Sequence, residues 1–182
     1  PRYVAMIDAA LAGGRLIGMI QPDEAVPALA NGPALCTVGC AGRITAFSES
    51  GDGRYLITLT GVARFDVVEE IDAGTAFRQC KVSARRYTFD FANDGESGVD
   101  RDAVLRTFRD YLEAHSLDAD WDSVNRASNQ TLVNTLAMMA PFGTREKQAL
   151  LEAPDLKARA ETLVALTEMA LARDGSGPAR MQ

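Results

Sequence analysis

The hydrophobic pattern of this chain changes its period once, and that change constrains the fold more than any other feature. Up to residue 88 the apolar residues fall in β-branched and aromatic runs with partial alternation: Arg15 to Gln21 (RLIGMIQ), Leu35 to Ser48 (LCTVGCAGRITAFS), Arg54 to Ile71 (RYLITLTGVARFDVVEEI) and Phe77 to Tyr87 (FRQCKVSARRY). Such runs predict strands, because alternate side chains of a strand share a face. From Val104 onward the apolar residues recur at steps of three and four, the spacing of a helix with one face to bury. Strands first and helices after predict an α+β architecture: a small β-barrel in residues 1–88, then a helical bundle in 103–173. An acidic linker, 89–102, separates them, and a Gly-rich polar tail, 174–182, is expected to be mobile.

Finer features follow from turn and cap chemistry. Val4 to Leu11 suits a short helix stopped at Gly13-Gly14. Glu49-Ser50-Gly51-Asp52-Gly53 predicts a hairpin turn, since its glycines tolerate positive φ. Gly61 interrupts a run too long for one flat strand, which points to a bulge or a sharp corner. In the second half, Val104, Leu105, Phe108, Tyr111, Leu112 and His115 share one helix face, with Asp100 or Asp102 as the cap. A second helix spans Asn129 to Met139 and stops at Pro141-Phe142-Gly143. Thr144 caps a third over Glu146 to Glu152. Pro154 starts a last one to about Ala172, its core stripe being Leu156, Ala160, Leu163, Leu166 and Ala170.

Charge and composition exclude several functions. No uncharged apolar run reaches the roughly 18 residues that cross a bilayer, so a soluble protein without a membrane partner is expected. A net charge of -6 works against tracking a phosphate backbone, where Lys and Arg supply the affinity, so nucleic acid is a disfavoured partner. Only a basic face built from Arg43, Arg54, Arg64, Arg78, Arg85 and Arg86 would restore an RNA-binding reading. Three cysteines are too few and too irregular for a secreted disulfide framework and suit a reducing cytoplasm.

A search for chemistry returns little. No Gly-Lys pair exists, and a nucleotide motor needs one to hold its phosphates. Of the three lysines, Lys81 falls in a strand pattern and Lys147 and Lys157 on polar helix faces, so none suits a Ser-Lys dyad. His115, the single histidine, is the one residue a hydrolase could recruit, but it sits on an apolar helix face and reads as structural. Cys36 and Cys40, four apart in a strand pattern, and Cys80 read as small buried side chains; with one histidine they are a poor zinc set. Asp118, Asp120 and Asp122 imitate the start of a calcium loop, yet Ser123 stands where its glycine belongs and Asn129 where its bidentate glutamate belongs, leaving a solvated acidic turn. Asp90, Asp94, Glu96, Asp100 and Asp102 read as solvated linker charges. No cofactor, metal or catalytic residue is expected.

Several segments in order resemble the amino-terminal substrate-binding domain of the Lon protease. They are Pro1-Arg2-Tyr3-Val4-Ala5-Met6-Ile7, the strand Arg15 to Gln21, Gly39 to Ile44 (GCAGRI), Leu59 to Phe65 with its Gly-x-x-Arg pattern, and Leu136 to Phe142 followed by Glu146 to Glu152 (EKQALLE), Asp155 and Arg159. The resemblance covers nearly the whole chain and implies a PUA-like barrel joined to a helical bundle. It implies a non-catalytic module that binds unfolded or exposed peptide segments of proteins, in association with a protease system, without motor or protease of its own. The family begins with one or two strands before the Pro-Arg-Tyr position. Either those strands belong to a longer chain that precedes Pro1, or the barrel is open and a homodimer through the open sheet edge closes it. Phe89, Phe91 and Trp121 flank the linker and are the expected peptide-binding residues, in competition with a role as core aromatics.

Overall fold

The computed structural model of the chain describes residues 2–28, 32–91 and 98–175. They fall into two compact units, Pro1–Ala92 and Asn93–Gln182. In the first unit, helix α1 (Arg2–Ala12) is followed by strands β1 (Leu16–Met19), β2 (Val38–Glu49), β3 (Tyr55–Ile71) and β4 (Gln79–Ser83), then a 3-10 segment, Arg85–Phe91. The helix ends where expected, but Arg15, not a glycine, takes the left-handed backbone (φ 57°), donating its N–H to Ala10 O at 2.9 Å.

The four strands form one antiparallel meander in the order β1-β2-β3-β4. The β2–β3 turn is the predicted one: Gly51 and Gly53 have φ of 76° and 79°, and Asp52 accepts from the Arg54 N–H at 3.1 Å. Ala41 pairs with Ala63 and Gly42 with Gly61, so Val62 is an extra residue beside the predicted irregularity; Thr45 and Val68 are two more. Each bulge bends its strand and raises the twist. Bending lets β3 pair with β2 along its first part and with β4 from Asp66 onward. Over the described strands the barrel is an open curled sheet whose edges are β1 and β4. Its core gathers Ile7 of α1 with Ile17 and Ile44.

Strand β4 is shorter than its run. Ser83 is its last residue, and Tyr87, expected in the strand, lies 2% exposed in the 3-10 segment. Cys36 also departs from expectation: it precedes β2 and does not share a strand face with Cys40.

The second unit holds α2 (Arg101–Ala114), α3 (Trp121–Arg126), α4 (Asn129–Met139), α5 (Thr144–Glu152) and α6 (Leu156–Gly175). Asp100 caps α2, accepting from the Ala103 N–H at 2.9 Å. Helix α3 was not expected from the sequence. Thr144 is the first residue of α5, not its cap; Gly143 holds that position without a side-chain bond. The core is Val104, Leu132, Val133, Leu150, Leu156, Ala160 and Leu163, with Leu166 packed against it. Leu156, Ala160, Leu163 and Leu166 of the predicted α6 stripe thus face this core, while Ala170 is half-buried and outside it; Thr167 is also buried, its hydroxyl donating to Leu163 O at 2.8 Å. Of the expected linker, residues 92–97, with Asp94 and Glu96, lie outside the described residues, as do 176–182 of the expected tail.

Candidate functional site

The most elaborate polar arrangement of the first unit holds the segment Arg85–Phe91 against β3. Arg64, 3% exposed on β3, donates from Nη2 to Asp90 Oδ1 at 2.8 Å and from Nε to Asp90 Oδ2 at 3.0 Å, while its own backbone N–H reaches Oδ2 at 2.9 Å. The guanidinium carbon lies 4.7 Å from the Tyr87 ring centroid and 5.2 Å from that of Phe89, within cation–π range. Tyr87 Oη donates to Asp66 Oδ1 at 3.2 Å, and burial, with Asp66 beside it, raises the Tyr87 pKa. Asp90 is thus not a solvated linker charge: it is the partner a buried arginine requires, since an unpaired charge there would be very costly.

Phe89 and Phe91 follow Tyr87 at alternate positions and stay open, 41% and 64% exposed. Phe89 meets Tyr87 edge-on at 6.4 Å. Trp121 belongs to the second unit, at the start of α3, where it tilts against Phe108 at 5.9 Å with the Arg109 guanidinium 4.7 Å over its ring. The three aromatics singled out from the sequence are therefore divided between the units, two on the first and one on the second.

A cleft of about 1160 Å³ in the first unit is lined by α1, both edge strands and the β3–β4 turn, with Phe65 among its walls. It exceeds the roughly 300–1,000 Å³ of small-molecule pockets. On its rim Arg78 forms a two-pronged ion pair with Glu70 and donates to Pro33 O at 2.7 Å. The hydrogen bonds from Arg78 hold the Glu70 carboxyl below its usual pKa.

The other candidate chemistry dissolves into structural roles. His115 is the exposed C-cap of α2, not part of its apolar face: Ser116 turns left-handed (φ 52°), the helix ends, and the imidazole stacks on Tyr111 at 4.2 Å with Nδ1 2.8 Å from Tyr111 O. Asp120 caps α3 through the Asp122 and Ser123 N–H groups and accepts from the Ser123 hydroxyl, which lowers its pKa. Among the described residues no three of His, Cys, Asp and Glu are grouped to hold a metal. Cys80 is half-buried, and burial raises its thiol pKa, the opposite of an activated nucleophile. Lys147 is not on a polar face; its Nζ donates to Ala137 O and Met138 O at 2.7 Å, tying α5 to the end of α4, and burial lowers its pKa. Of the six arginines an RNA-binding face would need, Arg64 is buried on Asp90, Arg78 pairs with Glu70, Arg86 with Asp66 and Arg54 with Asp52, and Arg43 donates to Gly14 O.

Sequence reasoning missed the Arg64–Asp90 pair and the Lys147 tether. The one signal for the first was the Gly-x-x-Arg pattern on β3, which marks the arginine but not its partner.

A family model described as the ATP-dependent protease La (LON) substrate-binding domain matches residues 1–168. Among solved structures, a Lon N-terminal domain protein from Xanthomonas campestris superposes with a TM-score of 0.62 at 20% identity, covering 90% of this chain and 83% of that one. The N-terminal domain of the Mycobacterium avium complex Lon protease superposes with a TM-score of 0.57 at 19% identity, with the same coverages. At these identities the superpositions speak for the fold alone. No curated protein matches by sequence. No described helix is long and apolar enough to cross a membrane.

Proposed function

The chain belongs to the LON substrate-binding domain family, and from that premise we propose that it recognises unfolded or exposed peptide segments of proteins and performs no chemistry of its own. The family is one of substrate-binding, not catalytic, domains, and its match over residues 1–168 is the observation that carries the reading. Phe89, Phe91 and Trp121 are the proposed contacts: open or partly open rings suit apolar side chains of a segment without fixed structure. The protein is placed in the cytoplasm, and a protease system is the partner that disposes of its clients.

Fluorescence anisotropy with a labelled, permanently unfolded carboxymethylated protein tests this. Saturable binding without cleavage is expected, weakened by Phe91→Ser and by Trp121→Ser. No binding, or turnover of the probe, refutes it. The RNA-binding reading keeps exposed Arg54 and Arg86 but loses Arg64, buried on Asp90, and Arg78, held by Glu70, and the net charge of -6 stands against it. Among the described residues β1 and β4 are the edge strands of the sheet, and such edges also suit pairing of two copies. Sedimentation velocity over a hundredfold concentration range should then show a rising coefficient, and a constant monomer value would exclude the homodimer.

A further inference from the structure

Two of the three exposed phenylalanines of the first unit, Phe89 and Phe91 (the third is Phe47 on β2), sit on the short, kinked 3-10 segment Arg85–Phe91, whose geometry is closely specified. Tyr87, Phe89 and Phe91 alternate along it, and the first is 2% exposed while the other two are 41% and 64% exposed. What sorts them is Arg64. Its guanidinium lies under Tyr87 and Phe89 and grips Asp90, the residue between the two open rings, at 2.8 and 3.0 Å. The Arg64 backbone N–H adds a third bond to the same carboxylate. Without the grip, a chain segment carrying two phenylalanines would fold them inward or sample many conformers, and ordering it would then oppose client binding.

We propose that Arg64 is a positioning residue for client recognition: through Asp90 it clamps Arg85–Phe91 onto β3 in the conformation that presents Phe89 and Phe91 to a peptide. This rests on the reading that unfolded segments are bound at those rings. Arg64, almost fully buried, touches no client itself.

The test is a cycle of full-chain variants, with the carboxymethylated protein as probe: Asp90→Ala, the double variant Phe89→Ser/Phe91→Ser, and the triple. Asp90→Ala should weaken binding on the order of tenfold by loss of preorganisation, and should weaken it no further when both phenylalanines are already gone. Trypsin provides the second readout, because Arg85 and Arg86 lie within the clamped segment; release should speed cleavage there while the far-ultraviolet dichroism stays unchanged. If Asp90→Ala does not fold, Asp90→Asn, which keeps the shape and weakens the charge pairing, takes its place in the same cycle. Equal loss in both phenylalanine backgrounds, unchanged affinity with the segment released, or no release to trypsin overturns the clamp. Failure of the unmodified protein to bind the probe is a different result, since it overturns the recognition reading beneath it.

Discussion

Arg159 is the point at which three helices of the second unit meet, and its removal should cost a large part of that unit's stability. Its Nε donates to Leu150 O at 3.0 Å, one of the carbonyls left without an intrahelical partner at the end of α5, and its Nη1 donates to Asn134 Oδ1 of α4 at 2.7 Å. Both bonds are partly buried and both come from a charged donor, so each contributes about 1.5–3 kcal/mol. Arg159→Met keeps the aliphatic stem that packs on the helix. It should therefore cost about 3 kcal/mol, taking each bond at the low end. Arg159→Lys has one nitrogen where the guanidinium offers a fork; it can reach one of the two acceptors and should cost about half as much. Against a domain stability of about 5–15 kcal/mol this is readily measured. Trp121, the chain's single tryptophan, belongs to this unit, so its emission in urea reports the unfolding of the second unit. With an m of about 1.5 kcal/mol/M the midpoint should fall by about 2 M for the methionine variant and about 1 M for the lysine variant. A lysine variant as unstable as the methionine one, or a methionine variant within about 0.3 M of the parent (the roughly 0.5 kcal/mol scatter of a surface change), would refute the fork argument.

The remaining expectations concern the first unit. A Cβ on Gly39 would come within 2.7 Å of the Phe65 ring and 2.8 Å of Met19 O, and a backbone oxygen in a paired strand cannot move aside. Gly39→Ala should cost about 2–3 kcal/mol, seen as a lowered melting midpoint by circular dichroism, whereas Gly14→Ala, with nothing within 4 Å, should leave it unchanged; equal midpoints for the two would contradict the packing described. The lowered pKa of Glu70 means that its pairing with Arg78 contributes stability above the unfolded carboxylate pKa, and that this contribution is lost as pH falls through the lower folded value. Arg78→Met should therefore narrow the difference between melting midpoints at pH 7 and pH 3, and an undiminished difference would show that the pair is not part of the acid sensitivity.

Features decided locally were legible in the sequence. The β2–β3 turn, the irregularity beside Gly61 and the span of α4 each depend on residues close together in the chain: two glycines at positive φ, an extra residue in one strand, and Pro141 directly after the helix cap. Features decided by distant partners were not. The strand pattern runs to Tyr87 and the residues after it read as linker, and nothing local in Arg85 to Phe91 reveals that Asp90 is bound by Arg64, 26 residues away, within a 3-10 segment. His115 keeps helical spacing in the sequence, but the spacing cannot reveal that Ser116 ends the helix one residue later. Helix α3 has six residues, fewer than two full turns, too short for a period to register. Lys147 was misread because its two acceptors are backbone carbonyls, which any sequence would supply.

The stretch that most specifically carries the family resemblance, Glu146 to Glu152 with Asp155 and Arg159, turns out to hold the scaffold. Gln148 donates to Glu152 at 2.7 Å, Lys147 closes the end of α4, Asp155 caps α6 through the Ala158 N–H at 2.7 Å, and Arg159 binds α5 and α4. In an enzyme, the residues that identify a family often include those that touch the reacting atoms, because bond making demands fixed chemistry at fixed distances. Capture of unfolded segments makes no such demand: apolar contact is non-directional, and a surface that accepts many clients gains by not specifying any one of them. What such a module does require is that its surface be held in place. In the second unit the family-resembling stretch does this holding: Lys147 and Arg159 tie α4, α5 and α6 together.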